Sequence, residues 1–213
     1  MKQGPTFFDF AAEVGLTKHI GGIAATQRLV ELCHIDKDSY VLDVGCGVGA
    51  TACWLAKNIG CRVMGVDIRE KMVARSQERA ERAGLSDKAA FHVGDAQQLP
   101  FGDGLFDAVI TESVTAFPPD KPKAVSEYAR VTKAGGYVGL NESTWLKTPP
   151  PPEVLAWAEQ DIGASVKPLT PDAWSALLLG AGLRDIVVQT YPIDVQQEEK
   201  GLLQRYGLGG MLG

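Results

Sequence analysis

Apolar residues recur along this chain with two alternating spacings. Five short, mostly apolar runs are bounded by glycine, proline or polar residues: Tyr40–Val44, Arg62–Val66, Ala90–Val93, Phe106–Thr111 and Tyr137–Asn141. Runs of this length read as strands covered on both faces. Between them the apolar positions spread to helical spacing, as at Leu29, Leu32 and Cys33 in a helix over Ile23–His34. Further helices are predicted over Ala50–Asn58, ending at Gly60, and over Glu70–Ala83, ended by Gly84. Another runs from Lys121 to about Thr132, before Ala134-Gly135-Gly136. Strands alternating with helices predict an α/β domain with a parallel sheet, whose ligands sit at the carboxyl ends of the strands.

After the fifth strand the pattern changes. Thr148 and the prolines at 149–152 exclude helix and central strand, and read as a stiff polyproline spacer. A helix is predicted from Glu153 to about Asp161, with Trp157 read as a core residue. A second covers Pro171–Ala181, with Thr170 as its cap and proline in its first turn. Asp185–Tyr191 reads as a sixth strand, and the chain from Val195 to Gly213 is charged and then glycine-rich. At the other end, residues 1–22 are irregular, with Gly4-Pro5, the pair Phe7 and Phe8, and Gly21-Gly22.

The chemistry concentrates in Val41–Ala56, VLDVGCGVGATACWLA. A strand runs into Asp43, a loop follows with Gly45, Cys46, Gly47 and Gly49, and a helix starts at once. That arrangement brings backbone close to a nucleotide-like ligand. The spacing is G-x-G-x-G rather than the G-x-G-x-x-G of dinucleotide folds. An acid at Asp43 repels a pyrophosphate but suits a cationic amino-acid group. Asp67 ends the second strand eighteen residues past Gly49; an acid near that distance accepts from ribose hydroxyls in βαβ nucleotide sites. Asp95 ends the third strand and can accept from an exocyclic amine. Together the three acids describe a ligand with an amino-acid end, a ribose diol and an adenine. Singly, each has a plainer account: Asp43 and Asp67 as turn residues, Gly94-Asp95-Ala96 as an ordinary turn, Glu112 as a solvated or buried acid.

The stretches VLDVGCGVG, VMGVDIREKMV, GDAQQLPF, FDAVITES and EYARVTKAGGYVGLNES, in this order over about residues 25–145, resemble class I S-adenosylmethionine-dependent methyltransferases. The broad group includes ubiquinone/menaquinone, sterol and phosphoethanolamine methyltransferases. The resemblance implies a Rossmann-like, doubly wound α/β fold, with S-adenosyl-L-methionine as cofactor and S-adenosyl-L-homocysteine as product. It implies that Asp43 and the backbone from Gly45 to Gly49 hold the methionine moiety. Asp67 would bind the ribose, Ile68 and Met72 would lie against the adenine, and Asp95 with the Ala96 amide would read its edge. Thr111 and Glu112 would border the sulfonium. The family closes its sheet with a seventh, antiparallel strand, which this sequence does not display. The natural chain is therefore expected either to continue past Gly213 or to end in an atypical arm.

The same resemblance divides the chain into an N-terminal lid or substrate segment, 1–22, and one methyltransferase domain, 23–213, with an insert at about 143–170 after the fifth strand. Acceptor contacts are expected in the lid, the loop after the fourth strand and the insert, which here hold Phe7, Phe8, His19, Phe117, Glu142 and Trp145. Phe117-Pro118-Pro119-Asp120 is a reversed and displaced likeness of the Asn/Asp-Pro-Pro-aromatic motif of amino-methylating enzymes. It reads instead as a loop into the next helix. An in-line methyl transfer needs the acceptor held roughly 3 Å from the methyl carbon. A general base is required where the acceptor carries a proton. His19, in a glycine-flanked segment, and Glu112 are the leading candidates, with Glu142 a third; His34 and His92 read as structural.

Composition narrows the partners. The chain has 213 residues, 45% of them hydrophobic and 22% charged, which suits one domain with a sizeable core. Its formal net charge is −5, against a nucleic-acid surface and toward a small-molecule acceptor. The basic residues from Arg69 to Arg82 interleave with Glu70, Glu78 and Glu81, as on a salt-bridged helix face. Cys33, Cys46, Cys53 and Cys61 have no C-x-x-C spacing, which argues against zinc and for small buried thiols in a reducing cytoplasm. No signal peptide or run of about 18 apolar residues appears, so no membrane span is expected. Two other readings stay open: a non-catalytic S-adenosylmethionine-binding module, and a methyltransferase acting on a macromolecule. A nicotinamide-dependent oxidoreductase is disfavoured by the glycine spacing and by Asp43.

Overall fold

A computed structural model describes residues 19–145, 148–150, 152 and 166–191. Helix α1 (Gly22–Leu32) is followed by β1 (Tyr40–Val44), α2 (Ala50–Asn58), β2 (Arg62–Asp67), α3 (Glu70–Arg82), β3 (Ala89–Val93) and β4 (Phe106–Glu112). Then come α4 (Lys121–Val131), β5 (Thr132–Asn141) and α5 (Pro171–Gly180). All five strands pair in parallel, in the order β3-β2-β1-β4-β5.

Alternation along the strands explains the layers. Val41, Val63, Ala108 and Ile110 point to one face and pack with Cys33 at the end of α1, Ala52 and Leu55 of α2 and Ala80 of α3. Leu42, Val44, Val66 and Val109 point to the other and pack with Val125, Tyr128 and Val131 of α4. Leu177 and Leu178 of α5 lie against that second cluster. Helices on both faces bury every central strand, so the doubly wound α/β architecture expected from the sequence is the one observed. The order 3-2-1-4-5 reverses direction between β1 and β4. At such a switch point the connecting chains part to opposite faces and leave a crevice at the strand carboxyl ends. The pairings Asp43↔Gly65 and Val44↔Thr111 set those ends level.

Two expectations need correction. The fifth strand was expected to begin at Tyr137, because Gly135-Gly136 reads as a turn. The strand starts at Thr132, which pairs with Phe106, and a register irregularity between Phe106 and Ala108 absorbs the glycines as a bulge. Gly135 has φ +80, and a Cβ on Gly136 would stand 2.6 Å from the Asp107 carbonyl oxygen. The sixth strand, Asp185–Tyr191, does not form: these residues are extended or bent chain outside any ladder. An apolar run becomes a strand only beside another strand, and among the described residues β5 has none on its far edge. Val187 and Val188 are consequently 64% and 51% exposed. The helix from Glu153, Trp157, Phe7, Phe8 and the search for a seventh strand beyond Val195 fall outside the described residues. No helix among the described residues is long and apolar enough to cross a membrane.

The loop from Asp95 to Leu105, which carries one wall of the site, is tied to α4 through Arg130. Its guanidinium donates to the carbonyls of Leu99 (3.2 Å) and Phe101 (2.8 Å), to Asp103 (2.7 Å) and to both oxygens of Glu127. Glu127 Oε2 also accepts from the Leu99 amide at 2.7 Å. Arg130→Ala is expected to cost about 1–3 kcal/mol of stability, since it strands two carbonyls and a carboxylate at once. The check is a lower urea midpoint with an unchanged slope.

Candidate cofactor and methyl-transfer site

A cavity of about 400 Å³ opens at the carboxyl ends of β1, β2 and β4, at the switch point. Its floor is the loop after β1. The amides of Gly45 and Cys46 both donate to the Val66 carbonyl, at 2.7 and 3.0 Å, so the loop leaves β1 along β2. From α3, Ser76 Oγ donates to the Gly47 carbonyl (2.8 Å) and Arg79 Nε to that of Val48 (2.8 Å). Arg79 thus serves the loop, whereas Glu78 takes Arg75 and Arg82 as the surface pairs expected from the sequence. Gly45 (φ +69) and Gly47 (φ +53) are the two glycines at the cavity that geometry requires. A Cβ on Gly45 would collide with Val114, and one on Gly47 would stand in open space at the cavity wall.

Asp67, at the end of β2, accepts from the Gly47 amide at Oδ2 (3.0 Å) and from the Arg69 amide at Oδ1 (2.9 Å). A carboxylate has about four acceptor sites, so each oxygen keeps capacity toward the cavity. Burial raises the Asp67 carboxyl above its ordinary range, against the pull of those two amides. Asp43 is buried, and its Oδ2 has no hydrogen-bond partner. Burial holds this carboxyl well above the usual carboxylate range, and the charges of Glu112 and Asp67 push the same way. Asp95 accepts from the Gln97 amide (2.8 Å) and from the Gln97 carboxamide, whose oxygen takes the Asp120 amide at 3.1 Å. Ile68, 65% exposed although apolar, and Met72 form a wall beside Asp67. The cavity is lined by Asp43, Asp67, Asp95 and Glu112, with Arg69 and His19 its basic residues.

At the β4 end, Glu112 is buried and held by two hydroxyls. Thr26 Oγ1 donates at 3.0 and 3.2 Å to its two oxygens, and Thr51 Oγ1 at 2.7 Å. His19 Nδ1 stands 3.4 Å from Glu112 Oε1, an ion-pair distance without hydrogen-bond alignment, so this buried nitrogen is also unpartnered. Phe117, Pro118, Pro119 and Val114 close the rim above the pair. Phe117–Asp120 is a loop into α4, capped by Asp120 accepting from the Lys123 amide, as expected; it also walls the site.

Most of the expected cofactor residues line this one cavity: Asp43, Gly45, Cys46, Gly47, Asp67, Ile68, Met72, Asp95, Ala96 and Glu112. Two do not. Gly49 (φ +74) caps α2 and packs on Ser76, and Thr111 is buried against Thr115 at 2.9 Å. Of the acceptor candidates, His19 and Phe117 line the cavity. Glu142 stands behind the 113–117 loop, where Oε1 accepts from the amides of Val114 (2.9 Å) and Thr115 (2.6 Å). Trp145 lies outside the lining, its amide bonded to the Leu169 carbonyl. Sequence reasoning missed Thr26, Thr51, Arg69 and Gln97. Only Thr51, a hydroxyl one residue into the helix after the glycine loop, carried a local signal.

Two buried polar atoms without partners, Asp43 Oδ2 and His19 Nδ1, face one cavity, together with a glycine wall that side chains would fill. A buried polar group without a partner calls for one, and at the wall of a cavity a ligand can supply it. The donor set fits S-adenosylmethionine: acids toward its ammonium and ribose, apolar Ile68 and Met72 toward a flat ring, and no basic cluster for a pyrophosphate. The Cys46 thiol is held protonated by burial and by the charges of Asp43 and Asp67. Burial likewise pushes the Cys33 and Cys61 thiols up to about 12 and about 11, and all four cysteines are free.

Residues 41–136 match a family model described as a methyltransferase domain. An uncharacterized protein of Haemophilus influenzae is 34% identical over 208 residues, covering 96% of this chain and 82% of that one. A sterol 24-C-methyltransferase of Gibberella zeae is 45% identical over 108 residues, 51% of this chain, while this chain spans only 28% of that enzyme. Among solved structures, phosphoethanolamine N-methyltransferase 2 of Haemonchus contortus, in complex with S-adenosyl-L-methionine, superposes with a TM-score of 0.77 at 21% identity. That superposition covers 91% of this chain and 45% of the other.

Proposed function

The chain belongs to the class I S-adenosylmethionine-dependent methyltransferases, and from that premise we propose that it methylates a small, largely apolar molecule bearing a protonated nucleophile. The observation that carries the reading is the buried, unpartnered Asp43 oxygen in a cavity whose charged lining residues are mainly acids. Such a cavity suits a cationic ligand and is hostile to a phosphorylated acceptor. The rim of Val114, Phe117, Pro118 and Pro119 supports an apolar acceptor, and a sterol is what the Gibberella relative acts on by its name.

In this reading Asp43 and the glycine loop hold the methionine end, Asp67 the ribose diol, and Asp95 with the Ala96 amide the adenine edge. The bound cofactor supplies an electrophilic methyl group on a sulfonium sulfur. The chain's own part is positioning, desolvation and proton handling. His19 takes the acceptor's proton, and Glu112, fixed by Thr26 and Thr51 with Oε1 3.4 Å from His19 Nδ1, stabilises the imidazolium that results. The reaction takes place in the cytoplasm, where four buried free thiols stay reduced.

The test incubates the protein with methyl-labelled S-adenosylmethionine and a cell extract of its source, then separates products by size. Label in small molecules supports the reading. Label in protein or nucleic acid overturns the acceptor class, and no label despite measured cofactor binding favours a non-catalytic module. His19→Ala is expected to slow label transfer about 100-fold, the ordinary worth of a general base. Cofactor Kd should stay within about threefold in the same variant, since only the transfer step loses a partner. Calorimetry with S-adenosylhomocysteine checks that second half.

A further inference from the structure

His19 sits on a turn that the strand ends hold at several points. The Ile20 amide donates to Ser113 Oγ at 3.1 Å, and the Ile20 carbonyl accepts from Asn141 Nδ2 at 2.6 Å. Both hydrogen-bonding groups of the residue next to His19 are therefore engaged by the ends of β4 and β5. Asn141 itself is buried and doubly braced. Its Oδ1 accepts from the Tyr191 hydroxyl at 2.5 Å, and its main-chain carbonyl accepts from the Ser113 amide at 2.8 Å. Ser113 takes φ +60, a conformation a residue with a Cβ rarely adopts without a local reason. The Tyr191 ring lies over Gly21 (φ +79), where an added Cβ would stand 2.9 Å from its hydroxyl. One turn later Thr26 reaches Glu112.

We propose that Asn141 is a positioning residue for methyl transfer: held by Tyr191 and Ser113, it fixes the main chain at Ile20 and so aims the His19 ring at Glu112 and the cavity. The inference rests on the reading of His19 as the group that handles the acceptor's proton. It adds a residue that touches neither cofactor nor acceptor. A tether that merely attached this segment to the sheet would not need both groups of Ile20 engaged beside an unpartnered histidine nitrogen. A ring aimed from its own main chain needs that restraint, because a displacement of about 1 Å costs on the order of 100-fold in such chemistry.

The experiment uses the full chain labelled with ring-15N histidine, which gives one pair of resonances for each of His19, His34 and His92. Asn141→Leu keeps the branched shape and removes both side-chain bonds. Tyr191→Phe keeps the ring over Gly21 and removes one. In Asn141→Leu the His19 nitrogens are expected to shift while those of His34 and His92 stay in place. Label transfer to the small-molecule fraction of the extract should fall about 10- to 100-fold. Tyr191→Phe should show the same signature with a loss of about threefold, the worth of one hydrogen bond. His19 resonances unmoved in both variants would overturn the proposal whatever the rates do. If Asn141→Leu does not fold, Tyr191→Phe, at a half-exposed position, decides alone. Should His19→Ala transfer label as fast as the parent, the reading of His19 as base falls, and the resonances still decide whether Asn141 sets the ring.

Discussion

Asp67→Ala is expected to weaken S-adenosylmethionine binding by about 2–4 kcal/mol, or roughly 30- to 1,000-fold in Kd. Two losses combine. The cavity loses the acceptor pair proposed for the ribose diol, worth more than neutral acceptors because it is charged and largely out of water. The glycine loop also loses a clamp, since Asp67 takes the amides of Gly47 and Arg69. Asp67→Asn separates the two, because the carboxamide keeps one acceptor oxygen. It should fall between the parent and alanine. Calorimetric titration of the three proteins checks the order. An alanine variant binding within about threefold of the parent would show that the acid serves only the loop.

That double duty marks where sequence reasoning stops. The strand–glycine–helix pattern of Val41–Ala56 located the loop, and the spacing to Asp67 located the acid, because both are fixed by chain distance within one βαβ unit. The sheet was legible for the same reason: apolar runs of strand length between helices leave one economical packing. The bonds across the cavity were not legible. Thr26 and Glu112 stand 86 residues apart, and nothing local says that a helical threonine will meet a strand-end carboxylate. The Asn141–Ile20 bond spans 121 residues. Glu142 shows the converse: its place at a strand end suggests a site acid, yet the amides of Val114 and Thr115 turn it away from the cavity. Asp185–Tyr191 failed on a further ground, since a strand's existence depends on a neighbour that the run itself cannot specify.

Asp43→Asn is expected to stabilise the ligand-free protein and cripple its cofactor binding. The carboxyl is fully buried with Oδ2 unpartnered, and its range is raised by burial, then by Glu112 and Asp67. The folded state therefore holds this proton more tightly than the unfolded chain, where an aspartate titrates near about 3.9. Stability from this group is complete below that value and drains away as pH rises through the raised folded range. Asparagine keeps the shape and never ionises. It should be more stable than the parent by about 1–3 kcal/mol at pH 8, the cost of a buried group left unsatisfied, and the difference should close by about pH 4. Asp36, Asp107 and Glu127, whose carboxyls are held below the usual range, slope the other way but are common to both proteins and cancel in the difference. Cofactor affinity carries the opposite sign. A cation beside Asp43 favours the ionised form, so in the parent binding should tighten as pH rises through the same window and release a proton below it. In Asp43→Asn that dependence should vanish and Kd rise by about 30-fold or more. Urea melts at pH 4 and pH 8, paired with calorimetry in two buffers of different ionisation enthalpy, read both halves. Equal stability at pH 8 with unchanged cofactor affinity would show that Asp43 is an inert strand-end acid. The expected trade, stability gained where binding is lost, marks a buried charge kept for its ligand.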